Sequence, residues 1–288
     1  MPAPPIRSIP LPSGVTVPAL GQGTWAMAED PAKRRDEIAA LRLGLDLGLT
    51  LIDTAEMYAD GGAEELVAEA LGPRRAELFL VSKVLPSHAS RQNTITACER
   101  SLRRLKTDRL DLYLLHWRGS TRLEETLEAF STLLAAKQIL HWGVSNFDLS
   151  DLEDLERAAA KVGLVAARGP ATNQILYNLS RRGIEHDLLP RCQAQKLPVM
   201  AYSPIEQGRL LEHSALRKLA ERHGATPAQI ALAWVLRQPH VLAIPKAGTE
   251  AHVRENLGAL ELPLSPEDLV ALDKAFPPPT SRHPLEML

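Results

Sequence analysis

Asp53, Tyr58, Lys83 and His116 are the residues of this chain best suited to act together on a bound molecule. Asp53, Lys83 and His116 close short apolar runs that come at nearly equal intervals, and Tyr58 lies five positions beyond the first of them. The chemistry that fits is proton donation by tyrosine. A free phenol has a pKa of about 10 and is a poor acid near neutrality. An ammonium beside it favours the phenolate, so Lys83 is expected to lower that value. Asp53 would keep Lys83 charged and in place, and His116 would orient and polarise a carbonyl oxygen. A positioned acid of this kind contributes about 10²–10⁴ in rate. None of the four is a good nucleophile here, so a hydride from a bound cofactor would complete the reaction. Singly, each has an ordinary structural reading: a loop cap, a packing ring, a solvated strand end, a core histidine. Their equivalent places in successive units make that account hard to sustain.

The elements that must position them follow a steady beat. Strand-like runs occupy Val17–Gly21, Leu49–Asp53, Leu78–Lys83, Leu110–His116, His141–Asn146, Ala171–Gln174, Pro198–Tyr202 and Val241–Lys246. Helical patterns lie between them, such as Ile38, Leu41 and Leu45, or Leu123, Leu127, Phe130 and Leu134. From Gly23 through Asp53, Lys83, His116, Asn146, Gln174 and Tyr202 to Lys246, the steps are 30, 30, 33, 30, 28, 28 and 44 residues. About 30 residues is the size of one βα unit. Eight units predict an α/β protein, a closed (β/α)8 TIM barrel, with chemistry at the carboxyl ends of its strands. Ile6–Pro10 and Val15–Pro18 around Pro12-Ser13-Gly14 read as a β-hairpin cap. Ser265 is expected to cap a last helix from Pro266, with Leu269 and Leu272 inward, before a short irregular tail. No interdomain linker is visible, so residues 1–288 read as one domain. Gly21-Gln22-Gly23-Thr24-Trp25-Ala26 matches a dinucleotide fingerprint. Glu29-Asp30-Pro31 intervenes before any helix, and this argues against a doubly wound sheet.

Composition narrows the function classes. The 288 residues are 45% hydrophobic and 24% charged with a formal charge of -2, which suits a large core and neither nucleic acid nor an anionic membrane. Met1–Pro10 carries no secretory pattern, no apolar run is long enough to span a bilayer, and two cysteines make no disulfide framework. Cys98 shares a helical stripe with Ile95, Leu102 and Leu105, as a buried free thiol would. The expected compartment is the cytoplasm. No metal-ligand spacing, nucleophile elbow or Walker A loop is present. Arg103-Arg104-Leu105-Lys106 reads as a solvated helix end.

Three ordered motifs carry a family resemblance over nearly the whole chain. Asp53-Thr54-Ala55-Glu56-Met57-Tyr58 leads to Ala70-Leu71. Ser101-Leu102 precedes Asp111-Leu112-Tyr113-Leu114-Leu115-His116-Trp117. Ile244-Pro245-Lys246 is followed by Glu255-Asn256. In these the chain resembles the aldo-keto reductases, most closely compact bacterial members, including the branch that reduces methylglyoxal. The resemblance implies a catalytic tetrad of Asp53, Tyr58, Lys83 and His116, with Tyr58 the acid, and NAD(P)H-dependent reduction of small aldehydes or ketones. It implies that Ser145, Asn146 and Gln174 bind the nicotinamide carboxamide and that Tyr202 stacks on its face. Gly23, Thr24, Ser203, Pro204 and the loop Ile205–Leu210, with Gln207 and Gly208, would line the ribose and pyrophosphate. Lys246, Ala247, Gly248, Thr249, His252, Glu255 and Asn256 would surround the adenosine end.

Two departures bear on cofactor choice. Ala247 stands where the family often has serine, and His252 where an arginine usually lies. Histidine lacks arginine's permanent bidentate fork, so the expectation is NADPH first with detectable NADH use. Trp25, Trp117, Phe147 and Tyr177 fall just beyond strand ends and are expected to wall the carbonyl site with Tyr58 and His116. A brief loop after His116 and a twelve-residue tail after Phe276 suggest an open site for small or varied aldehydes. Two other readings stay open: a Schiff-base lyase using Lys83, and a non-catalytic cofactor-binding partner subunit.

Overall fold

A computed structural model describes residues 6–164 and 169–288, so the reading of Met1–Pro10 falls partly outside the described residues. A hairpin of β1 (Ser8–Pro10) and β2 (Thr16–Pro18) comes first, with Ile9 opposite Val17 and both side chains buried. The barrel strands are β3 (Gln22–Gly23), β4 (Leu51–Asp53), β5 (Phe79–Val84), β6 (Leu110–Leu115), β7 (Ile139–Ser145), β8 (Asn173–Leu176), β9 (Val199–Tyr202) and β10 (Val241–Ala243). All pair in parallel in sequence order. The ring closes between first and last strands: the Gly21 amide donates to the Ala243 carbonyl at 2.9 Å and the Gly23 amide to the Pro245 carbonyl at 3.1 Å. The (β/α)8 expectation is met.

Helices α1 (Arg34–Asp46), α2 (Gly62–Leu71), α3 (Arg91–Leu105), α4 (Leu123–Ala135), α5 (Leu149–Val162) and α6 (Leu188–Ala194) alternate with the strands. Both α7 (Ser214–His223) and α8 (Pro227–Leu236) lie between β9 and β10, and this extra helix explains the long last step of the sequence period. After β10, α9 (Glu250–Gly258) packs against α8 and α1 and completes the outer ring. Ser265 caps α10 (Pro266–Ala275) through a reciprocal bond with Asp268, as predicted. Asp268 also takes the His223 ring at 2.8 Å, tying α10 to α7.

One expectation shifts. Val17 belongs to the hairpin, because β2 ends at Pro18, which has no N–H to continue a ladder. The chain enters the barrel only at Leu20, which bridges Ala243. Arg7 at the hairpin donates to the Leu236 carbonyl at the end of α8 and to the Val241 carbonyl at the start of β10, so the cap covers the end opposite the strands' carboxyl ends.

Side-chain alternation decides what faces the barrel axis. On β5, Ser82 donates to Glu64 of α2 at 2.6 Å and so points outward, which turns Lys83 inward. On β6 and β7, Tyr113 and Trp142 both pack on Phe130 of α4, in the layer between strands and helices. Gly143 of β7 sits where a Cβ would lie 2.7 Å from the Thr172 carbonyl oxygen and 2.9 Å from Leu114, so the interior there admits only glycine. Cys98 and Cys192 are both free and buried.

Candidate active site

Asp53 ends β4 opposite Val81 of the neighbouring β5, and Lys83 lies two residues further along β5 on the same inward face, from which its long side chain reaches Asp53 inside the barrel. The Lys83 Nζ donates to Asp53 Oδ2 at 2.8 Å, to the Thr54 carbonyl at 2.9 Å and to the Tyr58 hydroxyl at 2.9 Å. Every N–H of the ammonium is therefore engaged, and the side chain is fully buried. Burial alone would lower the Lys83 pKa, but Asp53 and Tyr58 together hold it above its ordinary value. Gln174 of β8 reaches across the barrel and donates to Asp53 Oδ1 at 2.7 Å. Asp53 is thus held from both sides.

Tyr58 arrives on a loop laced to β5. The Thr54 amide donates to the Val81 carbonyl, and the buried Glu56 carboxylate accepts from the Leu85 amide at 2.9 Å. Glu56 also pairs with His88 at 2.9 Å and Arg100 at 3.4 Å, so one acid joins the loops that carry Tyr58 and follow Lys83. Sequence reasoning passed over Glu56; its place between Asp53 and Tyr58 was the available signal. The turn then passes through left-handed Ala59, Asp60 and Gly61, with φ of 49°, 54° and 88°.

The expected lowering of the Tyr58 pKa is not what the geometry gives. Burial pushes it up, Lys83 pulls it down, Asp53 pushes it up again, and the net shift is upward. The phenol therefore stays protonated across the physiological range. His116 lies beside Tyr58, ring centroids 5.8 Å apart at 72°, and lines the same cavity. Burial, and then the Lys83 charge, lower the His116 pKa to about 2, so it is a neutral imidazole. Its Nδ1 is buried without a hydrogen-bond partner among the described residues.

Asp53, Tyr58 and His116 face a cavity of about 1020 Å³ that extends past Gln174 and Tyr202 to Lys246 and His252, with Lys83 buried behind Tyr58. Gly23, Asp53, Ser145, Asn146, Ser203, Pro204, Gln207, Gly208, Gly248, Thr249, Glu255 and Asn256 also line it, as do Trp25 and Trp117. Around the β7 end, Ser145 Oγ donates to the Gln174 carbonyl at 2.9 Å. Asn146 donates to the His116 carbonyl at 3.2 Å and accepts from the Tyr202 hydroxyl at 3.0 Å. The loop after β9 carries left-handed Ser203, Glu206, Gln207 and Gly208. The buried Glu206 carboxylate anchors that loop by accepting from Asn178 at 2.7 Å and pairing with Arg181 at 3.0 Å. Lys246 has no acidic partner within ion-pair distance among the described residues, so its charge is free for an anionic ligand.

Some expected positions lie elsewhere. Thr24 is fully buried, its hydroxyl donating to the Asp53 carbonyl at 3.0 Å, so it supports the strand end from behind the cavity. Ala247 is turned into the hydrophobic core. Phe147 is fully buried in that core and is not part of the substrate wall. Tyr177 is buried against Trp234, with its hydroxyl on Glu185 at 2.6 Å. Both lie beyond strand ends in sequence, but their loops fold back over the barrel. Conversely, Met57, Lys33, Glu37, Met287 and Leu288 line the cavity without having been expected. The short tail does not leave the site uncovered: its Glu286 pairs with Arg181 at 2.6 Å, bringing Met287 and Leu288 to the mouth.

The aldo/keto reductase family model matches residues 19–276. The methylglyoxal reductase YeaE of Escherichia coli (strain K12) is 53% identical over 279 residues, 95% of this chain and 96% of that protein. The glyoxal reductase of Bacillus subtilis (strain 168) is 32% identical over 266 residues, 92% of this chain and 91% of that protein. A crystal structure of an aldo/keto reductase from Klebsiella pneumoniae, in complex with NADP and acetate, is 50% identical. It superimposes with a TM-score of 0.93 over 99% of this chain and 100% of the other.

Proposed function

Since the chain belongs to the aldo/keto reductase family, we propose that it reduces small aldehydes and ketones, methylglyoxal and other 2-oxoaldehydes among them, to alcohols with NADPH. The observation that carries this reading is the Lys83 ammonium, buried and shared between Asp53 and the Tyr58 hydroxyl at the floor of the cavity. The relatives named above act on methylglyoxal and glyoxal or bind NADP, which supports the same substrate and cofactor.

The residues fit a nicotinamide dinucleotide. The cavity is long enough to run from Tyr58 to the α1–α9 end, and an unpaired Lys246 waits there for phosphate. When bound, the reduced nicotinamide supplies hydride to the carbonyl carbon. Ser145, Asn146, Gln174 and Tyr202 hold its ring end, and Ser203, Pro204, Gln207 and Gly208 line its middle. Gly248, Thr249, His252, Glu255 and Asn256 stand around the adenosine end with Lys246. Tyr58 gives its proton to the carbonyl oxygen, and Lys83 stabilises the phenolate that remains. Asp53 keeps Lys83 an ammonium in place, with Gln174 steadying Asp53. Neutral His116 offers an imidazole N–H to the same oxygen without placing a second positive charge beside Lys83.

Lys83 has neither a free lone pair nor exposed surface, which disfavours attack on a substrate carbonyl as a Schiff-base nucleophile. An intact proton-donating cluster likewise disfavours a purely binding role. We further infer that residues 1–288 work as one domain in the cytoplasm. Among the described residues no helix is long and apolar enough to cross a membrane, and no cluster suited to a metal ion occurs. The test is cofactor oxidation against an aldehyde panel containing methylglyoxal. Turnover that needs both carbonyl and NADPH is expected; borohydride-trapped adducts on Lys83 without cofactor use would overturn the reading.

Two further outcomes follow. Reduction needs the Tyr58 proton, so the rate is lost as pH rises through the Tyr58 pKa, which is raised above its ordinary value of about 10. The kcat profile should therefore stay level from pH 6 to 9, roughly, and His116 should add no limb in that window. An inflection near pH 6.5 that disappears in His116→Gln, at about the ordinary histidine value, would contradict this. For the cofactor, NADPH is preferred and NADH measurably used. Lys246→Ala should weaken NADPH binding by about 1.5–3 kcal/mol, the worth of a hydrogen bond to a charged group. His252→Arg should widen the NADPH preference, both read by fluorescence titration. Equal kcat/KM for the two cofactors in the parent protein, or an NADH preference, would refute the assignment.

A further inference from the structure

The charges around the cavity are unevenly placed. Its cations, Lys33 and Lys246, stand at the end between α1 and α9, where Lys33 precedes α1 and the Lys246 ammonium lies over Gly248. Around Tyr58 and His116 the wall is Trp25, Met57 and Trp117, and the tail adds Met287 and Leu288 to the same cavity, the Leu288 backbone bonding the Tyr202 hydroxyl. Trp25, Met287 and Leu288 are 44%, 48% and 50% exposed, so apolar surface faces the space a substrate's substituent must occupy. Trp25 stands edge-on to Tyr58, ring centroids 5.1 Å apart, directly beside the reacting hydroxyl.

Among the described residues, the cations near that mouth already have partners. Lys83 is sealed behind Tyr58 with all its donors used. Arg118, next to Trp117, is held by the Gly119 and Thr121 carbonyls, each at 2.9 Å, and its charge is met by Asp151 at 4.0 Å. Arg181 is divided between Glu206 and Glu286, and Arg209 also pairs with Glu206. His116 is uncharged. A carboxylate on the substrate's far end would surrender hydration here and meet no positive charge in return. An apolar or aromatic substituent would gain by leaving water.

We propose, on the basis of the carbonyl-reductase reading above, that this site selects uncharged carbonyls with apolar or aromatic substituents and rejects those whose substituent carries a carboxylate. The selectivity concerns the remote charge only, since an anionic oxygen at the reacting end would find the Tyr58 and His116 donors. Met287 and Leu288, brought to the mouth by the Arg181–Glu286 pair, are specificity-determining residues in this account.

The probes are 4-formylbenzoate and its methyl ester, which share ring and aldehyde and differ in charge. Because the ester also withdraws electrons from the carbonyl, 4-methylbenzaldehyde, uncharged and no more activated than the carboxylate, is run beside them and should likewise outpace the acid. With NADPH, kcat/KM for the ester should exceed that for the acid by about tenfold or more, an uncompensated carboxylate costing at least that factor. Met287→Arg and, separately, Leu288→Arg should narrow the ratio by raising kcat/KM for the acid, since each places a cation where none is free. Both positions are half exposed, so neither change disturbs the core. A ratio near one or below in the parent protein overturns the proposal. So does a ratio left unchanged by both arginine variants, because the wall would then lie elsewhere. If neither probe, nor methylglyoxal, supports cofactor oxidation, the reductase reading fails and not the selectivity alone.

Discussion

Tyr58→Phe is expected to lower kcat by about 10²–10⁴, the contribution of a well-placed proton donor, while leaving the fold and cofactor affinity unaltered. The ring packs beside Trp25 and His116 and would stay there. Among the described residues the hydroxyl's hydrogen-bond partner is Lys83, which keeps Asp53 and the Thr54 carbonyl when the phenol oxygen goes. The loss should therefore fall on the chemical step and spare KM for the cofactor. Single-turnover rates compared with fluorescence titration of NADPH separate the two. Wild-type kcat in this variant would remove Tyr58 from the role of acid.

Lys83→Met is expected to affect both stability and turnover, because two things are lost at once. The phenolate loses its counter-charge, and the buried Asp53 carboxylate loses its cation. Breaking a buried pair from one side costs about 3–5 kcal/mol, to be read in urea unfolding. Adding Asp53→Asn to Lys83→Met should recover part of that stability and none of the turnover, which distinguishes charge burial from catalysis. The pH dependence carries the sign. The Lys83 pKa is raised in the folded protein, so its stabilisation is complete below the unfolded value of about 10.4. It fades as pH climbs through the higher folded value. The parent protein should lose stability over that alkaline window; the double variant should lack that component.

Much of this architecture was legible because a βα unit has a fixed length and the strand ends of a barrel converge. The interval from Asp53 to Lys83 to His116 suffices to place three functional side chains on one rim. What could not be read was the direction in which loops fold. Phe147 and Tyr177 follow strand ends as Trp117 does, yet they turn into the core while Trp117 borders the cavity. Glu286 reaches the mouth through Arg181, a partner 105 residues away, and no local pattern announces such a pairing. Glu206, whose acid anchors the loop after β9, is hidden for the same reason. The sign of the Tyr58 shift was missed because neighbours can be inferred from spacing and burial cannot. Lys83 does act as expected on the phenol, and desolvation outweighs it. The first barrel strand was displaced because Val17 fits both the hairpin and the barrel by its apolar character. Pro18 decides between them.

The central claim is that hydride from a reduced nicotinamide and the proton of Tyr58 meet across one carbonyl. The most direct measurement uses NADPH carrying deuterium at the transferable position of the nicotinamide ring, with methylglyoxal as substrate and mass spectrometry of the alcohol formed. One deuterium is expected on the carbon bearing the new hydroxyl, with product formation about 10²–10⁴ slower in Tyr58→Phe. Alcohol without deuterium, or product formed at equal rates with and without NADPH, would contradict it.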